Sequence, residues 1–87
     1  MTHGYASPVA VLRLFAAARE AAGTSSVEVA GATVSDVLVS AAARFGSGFA
    51  DVLATSKVWV NGEEVPLDHP VSDKDEVAVL PPVSGGT

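Results

Sequence analysis

The sequence predicts an α+β domain in which a mixed sheet of about five strands packs on one main helix. Several short segments rich in β-forming residues are separated by turn residues, and one longer amphipathic segment lies between the second and the third of them. An Asn-Gly pair between two of these segments also predicts a hairpin. The 87 residues, of which 48% are hydrophobic, are enough for one small domain with one core.

The first two predicted strands flank a short alanine-rich helix. Residues 9–15 are rich in β-formers, and the period of two in a strand divides them into two faces. Ala10, Leu12 and Leu14 form an apolar face for the core, and Val9, Val11, Arg13 and Phe15 form the wetter face. Residues 16–22 have high helix propensity and are followed by Gly23 as a stop. Residues 25–29 then read as a short second strand with Val27 and Val29 inward.

A capping-box pattern opens the main helix. Thr33 is placed at the N-cap and Asp36 at the third helical position, and the helix is expected to run to about Phe45, with Gly46 as its stop. One apolar stripe recurs at helical spacing: Val34, Val37, Leu38, Ala41, Ala42 and Phe45. No chemically active side chain lies on this stripe, so it is interpreted as core packing. Residues 46–48 are expected to form a loop, followed by a helical turn that places Phe49 and Leu53 on the core.

The remaining strands give the domain one unusual face. Residues 57–65 contain Asn61-Gly62 and predict a type I′ hairpin, in which Trp59 shares a face with charged and polar residues. Residues 66–70 cannot form a regular central strand, and residues 72–75 form a polar turn before a last strand at 76–80 with Leu80 outward. If the first and last strands are neighbours, Phe15, Leu80 and Trp59 come together on the face that the main helix leaves open. Such a patch indicates a partner, unless the short helix or the loop from Pro66 covers it.

Composition excludes several function classes. A net charge of −5 and a pI near 4.6 argue against nucleic-acid binding and favour partners with basic surfaces. The absence of cysteine rules out disulfides, thiolate metal sites, iron–sulfur clusters and a cysteine nucleophile. His3 and His69 stand alone, and Asp73 and Asp75 fit a turn better than a metal site. We therefore expect no metal or cofactor site in this chain. Without a signal peptide or an apolar run long enough to span a membrane, a cytoplasmic protein is expected.

The C-terminal segment has a composition suited to insertion into a narrow channel. Pro81 and Pro82 prevent the last strand from continuing, and Gly85 and Gly86 lack a Cβ that would obstruct the channel. A frayed chain end is the alternative. The predicted organisation is a flexible lead-in at residues 1–8, a domain at 9–82 and a flexible Gly-Gly tail at 83–87.

Several segments together resemble the small subunits of molybdopterin synthases, the MoaD-type sulfur carriers of the ubiquitin-like MoaD/ThiS family. They lie at residues 14–24, 33–38, 60–62 and 75–86, and the Pro-Pro-Val-Ser-Gly-Gly segment at 81–86 is the most specific. The resemblance implies a ubiquitin-like β-grasp fold and a chain that is not catalytic alone. It implies that a ubiquitin-activator-like enzyme uses Mg-ATP to adenylate Gly86, which is then thiocarboxylated. The carrier then donates this sulfur to the dithiolene of molybdopterin during molybdenum cofactor biosynthesis.

The resemblance also implies partners and docking residues. The large synthase subunit is the expected partner, in a heterotetramer, and Phe15 and Leu80 match hydrophobic docking positions of the family. The other expected partner-binding residues are Trp59, Pro81, Pro82 and Val83, with Gly85 giving access to Gly86. In this sequence Thr87 follows Gly86, whereas the family pattern ends at the second glycine, so either Thr87 is removed before activation or it is a natural extension or an added residue. A carrier for thiamine thiazole or cysteine synthesis, and a ubiquitin-like modifier or interaction domain, are alternatives.

Overall fold

The computed structural model describes residues 7–82 and contains three helices and five strands within that range. In chain order they are β1 Val9–Leu14, α1 Ala16–Ala22, β2 Ser26–Ala30, α2 Val34–Phe45, α3 Ser47–Ala54, β3 Lys57–Val60, β4 Glu63–Glu64 and β5 Glu76–Leu80. The strands form one mixed sheet in the order β2-β1-β5-β3-β4. The predicted α+β class with five strands is confirmed. The predicted tail at 83–87 and most of the lead-in lie outside the described residues.

The two ends of the chain's folded part meet in the middle of the sheet. β5 pairs in parallel with β1 and antiparallel with β3. Because alternate side chains of a strand point to opposite faces, Leu12 and Leu14 of β1 lie beside Val77 and Val79 of β5 on one face. All four side chains are buried, as is Val58 of β3. The inward and outward residues predicted for these strands are therefore confirmed.

Helix α2 covers the apolar face of the sheet. The Thr33 hydroxyl accepts a hydrogen bond from the backbone N–H of Asp36 at 3.2 Å, which satisfies one of the free amides of the first turn. The helix ends at Phe45, where Gly46 has φ 99° and donates its N–H to the Ala42 carbonyl. Its buried residues are Val34, Val37, Leu38 and Ala41. The predicted start, stop and core stripe of this helix are confirmed.

The loop predicted at residues 46–48 is wrong for its last two residues. Ser47 and Gly48 belong to α3, and only Gly46 has the positive φ that separates α3 from α2. The Phe49 side chain is fully buried, with its ring centroid 5.1 Å from that of Phe45. Burial of this aromatic ring stabilises a complete helix where local propensity favours a loop. The predicted inward position of Phe49 is confirmed.

The predicted turns also occur. Asn61 and Gly62 have φ values of 51° and 90°, and both must be positive in a type I′ hairpin. Gly23 ends α1 in the left-handed region with φ 76°, as its place after the alanine-rich run predicts. Within residues 7–82, no helix is both long and apolar enough to cross a membrane, and the longest, α2, has 12 residues.

Candidate functional site

The sheet face opposite α2 carries a patch of apolar side chains near the C-terminal end of β5. Leu14 pairs with Val79 in the parallel register, so Phe15 lies level with Leu80. Trp59 lies opposite Ala78. Ala78 and Leu80 are two residues apart on β5, so Trp59 and Leu80 are diagonal neighbours on the same face. Phe15 is 43% exposed, whereas Trp59, Ala78 and Leu80 are half-buried. Phe15, Trp59, Ala78 and Leu80 are called the outer patch below, and the predicted proximity of its large members is confirmed.

No helix of the described chain packs over the outer patch. Ala18 of α1 belongs to the buried cluster formed by the inward side chains of the sheet, which places α1 on the core side. The loop from Pro66 packs at the start of α2, where the backbone N–H of Ser35 donates to the Leu67 carbonyl at 2.8 Å. In the same way the Val34 N–H donates to the His69 carbonyl at 2.9 Å. The two elements that were considered as covers for the patch therefore lie on the other side of the sheet.

Two ion pairs flank the outer patch. Arg13 Nη1 lies 3.5 Å from Glu76 Oε2, and Lys57 Nζ lies 3.9 Å from Glu64 Oε2. All four side chains are largely exposed, so each pair adds little to stability. Lys57 lies directly opposite Leu80 in the β3–β5 register. The arrangement is an apolar centre with a charged rim, as in many protein interfaces.

The base of the tail lies beside the outer patch. β5 is paired on both sides, so its last residue, Leu80, is held in position by the sheet. Pro81 is half-buried and Pro82 exposed, and neither continues the strand. The predicted site residues Val83, Gly85 and Gly86 lie outside the described residues, as does Thr87. The structure thus brings Phe15, Trp59 and Leu80 to one end of one face, and Pro81 follows directly after Leu80 at that end.

The two turn aspartates hold the fold together at the opposite end of the sheet. Asp73 Oδ1 accepts a hydrogen bond from the Val9 N–H at 2.9 Å. Asp75 Oδ2 accepts from the Ser72 N–H at 2.7 Å, and Asp75 Oδ1 accepts from Asn61 Nδ2 at 3.0 Å. The Ser72 bond first and the Asn61 bond second lower the pKa of Asp75 from its ordinary value. Among residues 7–82, no cluster of acidic or histidine side chains is suited to hold a metal ion.

Asn61 has a role that the sequence did not reveal. Its side-chain oxygen accepts from the Glu76 N–H at 2.9 Å, while its side-chain amide donates to Asp75. The hairpin turn is thereby tied to the start of β5, 15 residues later in the sequence. The Asn-Gly pair indicates only the turn, because the partner of the side chain depends on the fold.

A second apolar surface lies on the helical side of the domain. It is a groove of about 500 Å³ between α2, α3 and the β3–β4 hairpin, lined by Leu38, Leu53 and Val65 among others. Val39 and Leu67 stand at this groove with 66% and 56% exposure, which is more than Phe15 has. The sequence did not predict this groove. Lys57 and Glu64 lie at the border between the groove and the outer patch, but none of the four outer-patch residues lines the groove. Substitutions of Val39 and Leu67 therefore provide controls for substitutions in the patch.

Comparison with known proteins gives consistent matches over most of the chain. Residues 12–86 match the model of the ThiS family. The molybdopterin synthase sulfur carrier subunit of Escherichia coli (strain K12) is 42% identical over 76 residues, which cover 83% of this chain and 93% of that protein.

Solved structures agree in fold. The crystal structure of SAMP1 from Haloferax volcanii has a TM-score of 0.81 at 32% identity and covers 90% of this chain and 99% of its own. A putative molybdopterin converting factor, subunit 1, from Pyrococcus furiosus has a TM-score of 0.78 at 30% identity, and the match covers 88% of this chain and 100% of that one. The resemblance to MoaD-type carriers and the ubiquitin-like β-grasp fold are confirmed.

Proposed function

This chain belongs to the ThiS family, and from that premise we propose that it is the sulfur-carrier subunit of a molybdopterin synthase. The observation that carries the proposal is the position of the tail's base: the central strand β5 ends at Leu80, inside an apolar patch that the described chain leaves open. A partner that covers the outer patch would receive the tail at a fixed point. The similarity to the E. coli carrier subunit supports this partner being the large synthase subunit.

The proposed chemistry takes place at Gly86. A carboxylate oxygen of Gly86 attacks the α-phosphorus of ATP held by an adenylating enzyme, and pyrophosphate leaves. A donor at the oxidation level of sulfide then attacks the carbonyl carbon, and AMP leaves with the bridging oxygen. The product is a thiocarboxylate, whose sulfur is donated to the dithiolene of molybdopterin. Mg-ATP belongs to the adenylating enzyme, and this chain supplies an activated end and no catalytic groups.

The tail has the reach that delivery requires. Five residues from Pro82 to Gly86 span at most ~17 Å when extended. This length lets Gly86 enter a buried site while the domain stays outside. Gly85 has no Cβ, so the activated carbonyl remains accessible to the enzymes that act on it. Pairing of β5 with both neighbours keeps the start of this arm from moving relative to the patch.

The outer patch is the proposed dock for the large subunit. Phe15 and Leu80 supply its centre, with Trp59, Pro81, Pro82 and Val83 as further contacts in a heterotetramer. Aromatic side chains are enriched in protein interfaces, and the outer patch carries two of them, Phe15 and Trp59. At the rim, acidic side chains of the partner would meet Arg13 and Lys57, and basic ones would meet Glu76 and Glu64.

Co-purification tests the dock. We expect Phe15→Glu or Leu80→Glu to abolish recovery of the large subunit, because each buries a charge at the centre of the interface. Leu67→Glu is the matched control, since Leu67 is 56% exposed and lies at the groove on the helical side. It should leave recovery unchanged. Retention of the partner by both patch variants would contradict the dock.

The chain end is tested by comparing chains that terminate at Gly86 and at Thr87. We propose that Thr87 is removed before activation, because it displaces the carboxylate and adds a β-branched side chain at the reacting end. With the adenylating enzyme and ATP, only the chain ending at Gly86 should support pyrophosphate release. When sulfide is then added as the sulfur donor, intact mass spectrometry should show replacement of one oxygen by sulfur. Equal activation of both chains would contradict Gly86 as the reacting residue.

A role as a protein modifier is the second candidate, favoured by the similarity to the small archaeal modifier SAMP1. The same activated glycine would then form an isopeptide bond with a lysine instead of accepting sulfur. Mass spectrometry of proteins from the source cells separates the two. Lysines that carry the C-terminus of this chain would support the modifier, whereas a thiocarboxylate without conjugates supports the sulfur carrier.

A further inference from the structure

Among residues 7–82, strand β2 is one edge of the sheet, and no strand of that range pairs with its side that faces away from β1. The hydrogen bonds from Leu14 N–H to Ser25 O and from Gly31 N–H to Pro8 O fix which residues of this strand face β1. In this antiparallel register Ser26, Glu28 and Ala30 direct their backbone N–H and C=O groups outward. A row of outward groups of this kind is a template on which another strand can pair.

Two side chains occupy part of this row. The Thr24 hydroxyl donates to the Ser26 carbonyl at 3.0 Å and accepts from the Ser26 N–H at 3.4 Å. Arg44, in the last turn of α2, donates from Nη1 to the Glu28 carbonyl at 3.3 Å. Ser26 thus has both of its outward groups bonded within the chain, and Glu28 has one of them. An added strand would have to displace both side chains before it could pair with these groups.

The charge of Glu28 also opposes the pairing of a second strand with β2. An antiparallel pair of two β2 strands that used all three outward residues would be centred on Glu28, so the two Glu28 side chains would lie opposite each other. Like charges in directly opposite positions of a sheet are destabilising. The other edge strand, β4, has only two residues, and both are glutamates.

We propose that Thr24, Glu28 and Arg44 close the free edge of β2 to pairing with a second copy of this chain. Two of these side chains satisfy outward backbone groups, and the third repels its counterpart. This inference concerns the edge alone and does not depend on the proposed function.

Self-association of a triple variant tests the closure. Thr24→Val/Glu28→Gln/Arg44→Ala removes both hydrogen-bonding side chains and the charge at the edge. Thr55→Val/Glu20→Gln/Arg19→Ala makes the same three changes away from the edge and serves as the matched control. In sedimentation velocity the wild type and the control should remain monomeric, and the edge variant should form dimers in proportions that rise with concentration. An edge variant that retains its circular dichroism spectrum and stays monomeric would overturn the proposal.

Cross-linking tests the predicted register. The chain has no cysteine, so a cysteine placed at residue 28 can pair only with its copy in another chain. Directly opposite residues of a hydrogen-bonded antiparallel pair have Cα atoms about 5.5 Å apart, a separation that a disulfide accepts. Under a mild thiol oxidant, Glu28→Cys in the Thr24→Val/Arg44→Ala background should dimerise roughly tenfold faster than Glu28→Cys alone. Equal rates in the two backgrounds would show that Thr24 and Arg44 do not close the edge.

Discussion

Truncation of Phe15 to alanine measures how much the outer patch contributes to partner binding. A phenylalanine side chain buries about 200 Å² when fully enclosed, so 43% exposure leaves roughly 85 Å² of this ring for a partner to cover. At about 25 cal/mol per Å², this burial contributes about 2 kcal/mol, or roughly thirtyfold in Kd. Phe15→Ala should therefore weaken the complex with the large synthase subunit by that factor.

Isothermal titration of the large subunit with purified chains provides the measurement. Val39→Ala is the control, because Val39 is 66% exposed on α2 and lies at the groove on the other side of the domain. Its Kd should equal that of the wild type. Thermal unfolding followed by circular dichroism establishes that Phe15→Ala is folded at the titration temperature. A folded Phe15→Ala chain that binds within about twofold of the wild type would refute the role given to the patch.

Three further predictions concern stability and are measured by urea unfolding. Thr33→Ala should lower the free energy of unfolding by about 1 kcal/mol because α2 loses its N-cap, whereas Thr33→Ser should not; equal midpoints for both would contradict the cap. Gly31→Ala should lower the free energy of unfolding by about 1–3 kcal/mol, because the added Cβ would lie 2.7 Å from the backbone nitrogen of Val37. Gly48→Ala is the control, with open space around the added Cβ in α3, and should stabilise the chain by up to about 1 kcal/mol; similar losses in the two glycine variants would contradict the clash. The two amide hydrogen bonds to Asp75 lower its pKa, so its charged form stabilises the fold above the ordinary value of 3.8, and this contribution is lost as the pH falls through the lowered pKa. As the pH is lowered, the free energy of unfolding should therefore fall less for Asp75→Asn than for the wild type. Identical dependence of this free energy on pH in the two proteins would contradict the role given to Asp75.

Local patterns in the sequence were enough to predict most elements of the fold. The period of two in β1 and β5 gives their inward and outward residues, because a strand places successive side chains on opposite faces. The Thr33 cap, the apolar stripe and Gly46 give the bounds of α2 in the same local way. The start of α3 was missed for a physical reason: Ser47 and Gly48 are weak helix formers, and the helix depends on burial of Phe49 against the core.

The sequence alone determined the chemistry available to this protein. It provides no cysteine, and it provides a Pro-Pro end to the last strand followed by Gly85-Gly86. Only the tertiary structure decided where that chemistry is presented. Pairing of β1 with β5 joins residues more than 60 positions apart and places Phe15 level with Leu80. It also decided that the loop from Pro66 packs on α2 and leaves the outer patch open. Strands that are distant in the sequence become neighbours because together they bury one common core. A local sequence pattern shows which side chains of a strand face inward, but it does not show which other strand lies beside it.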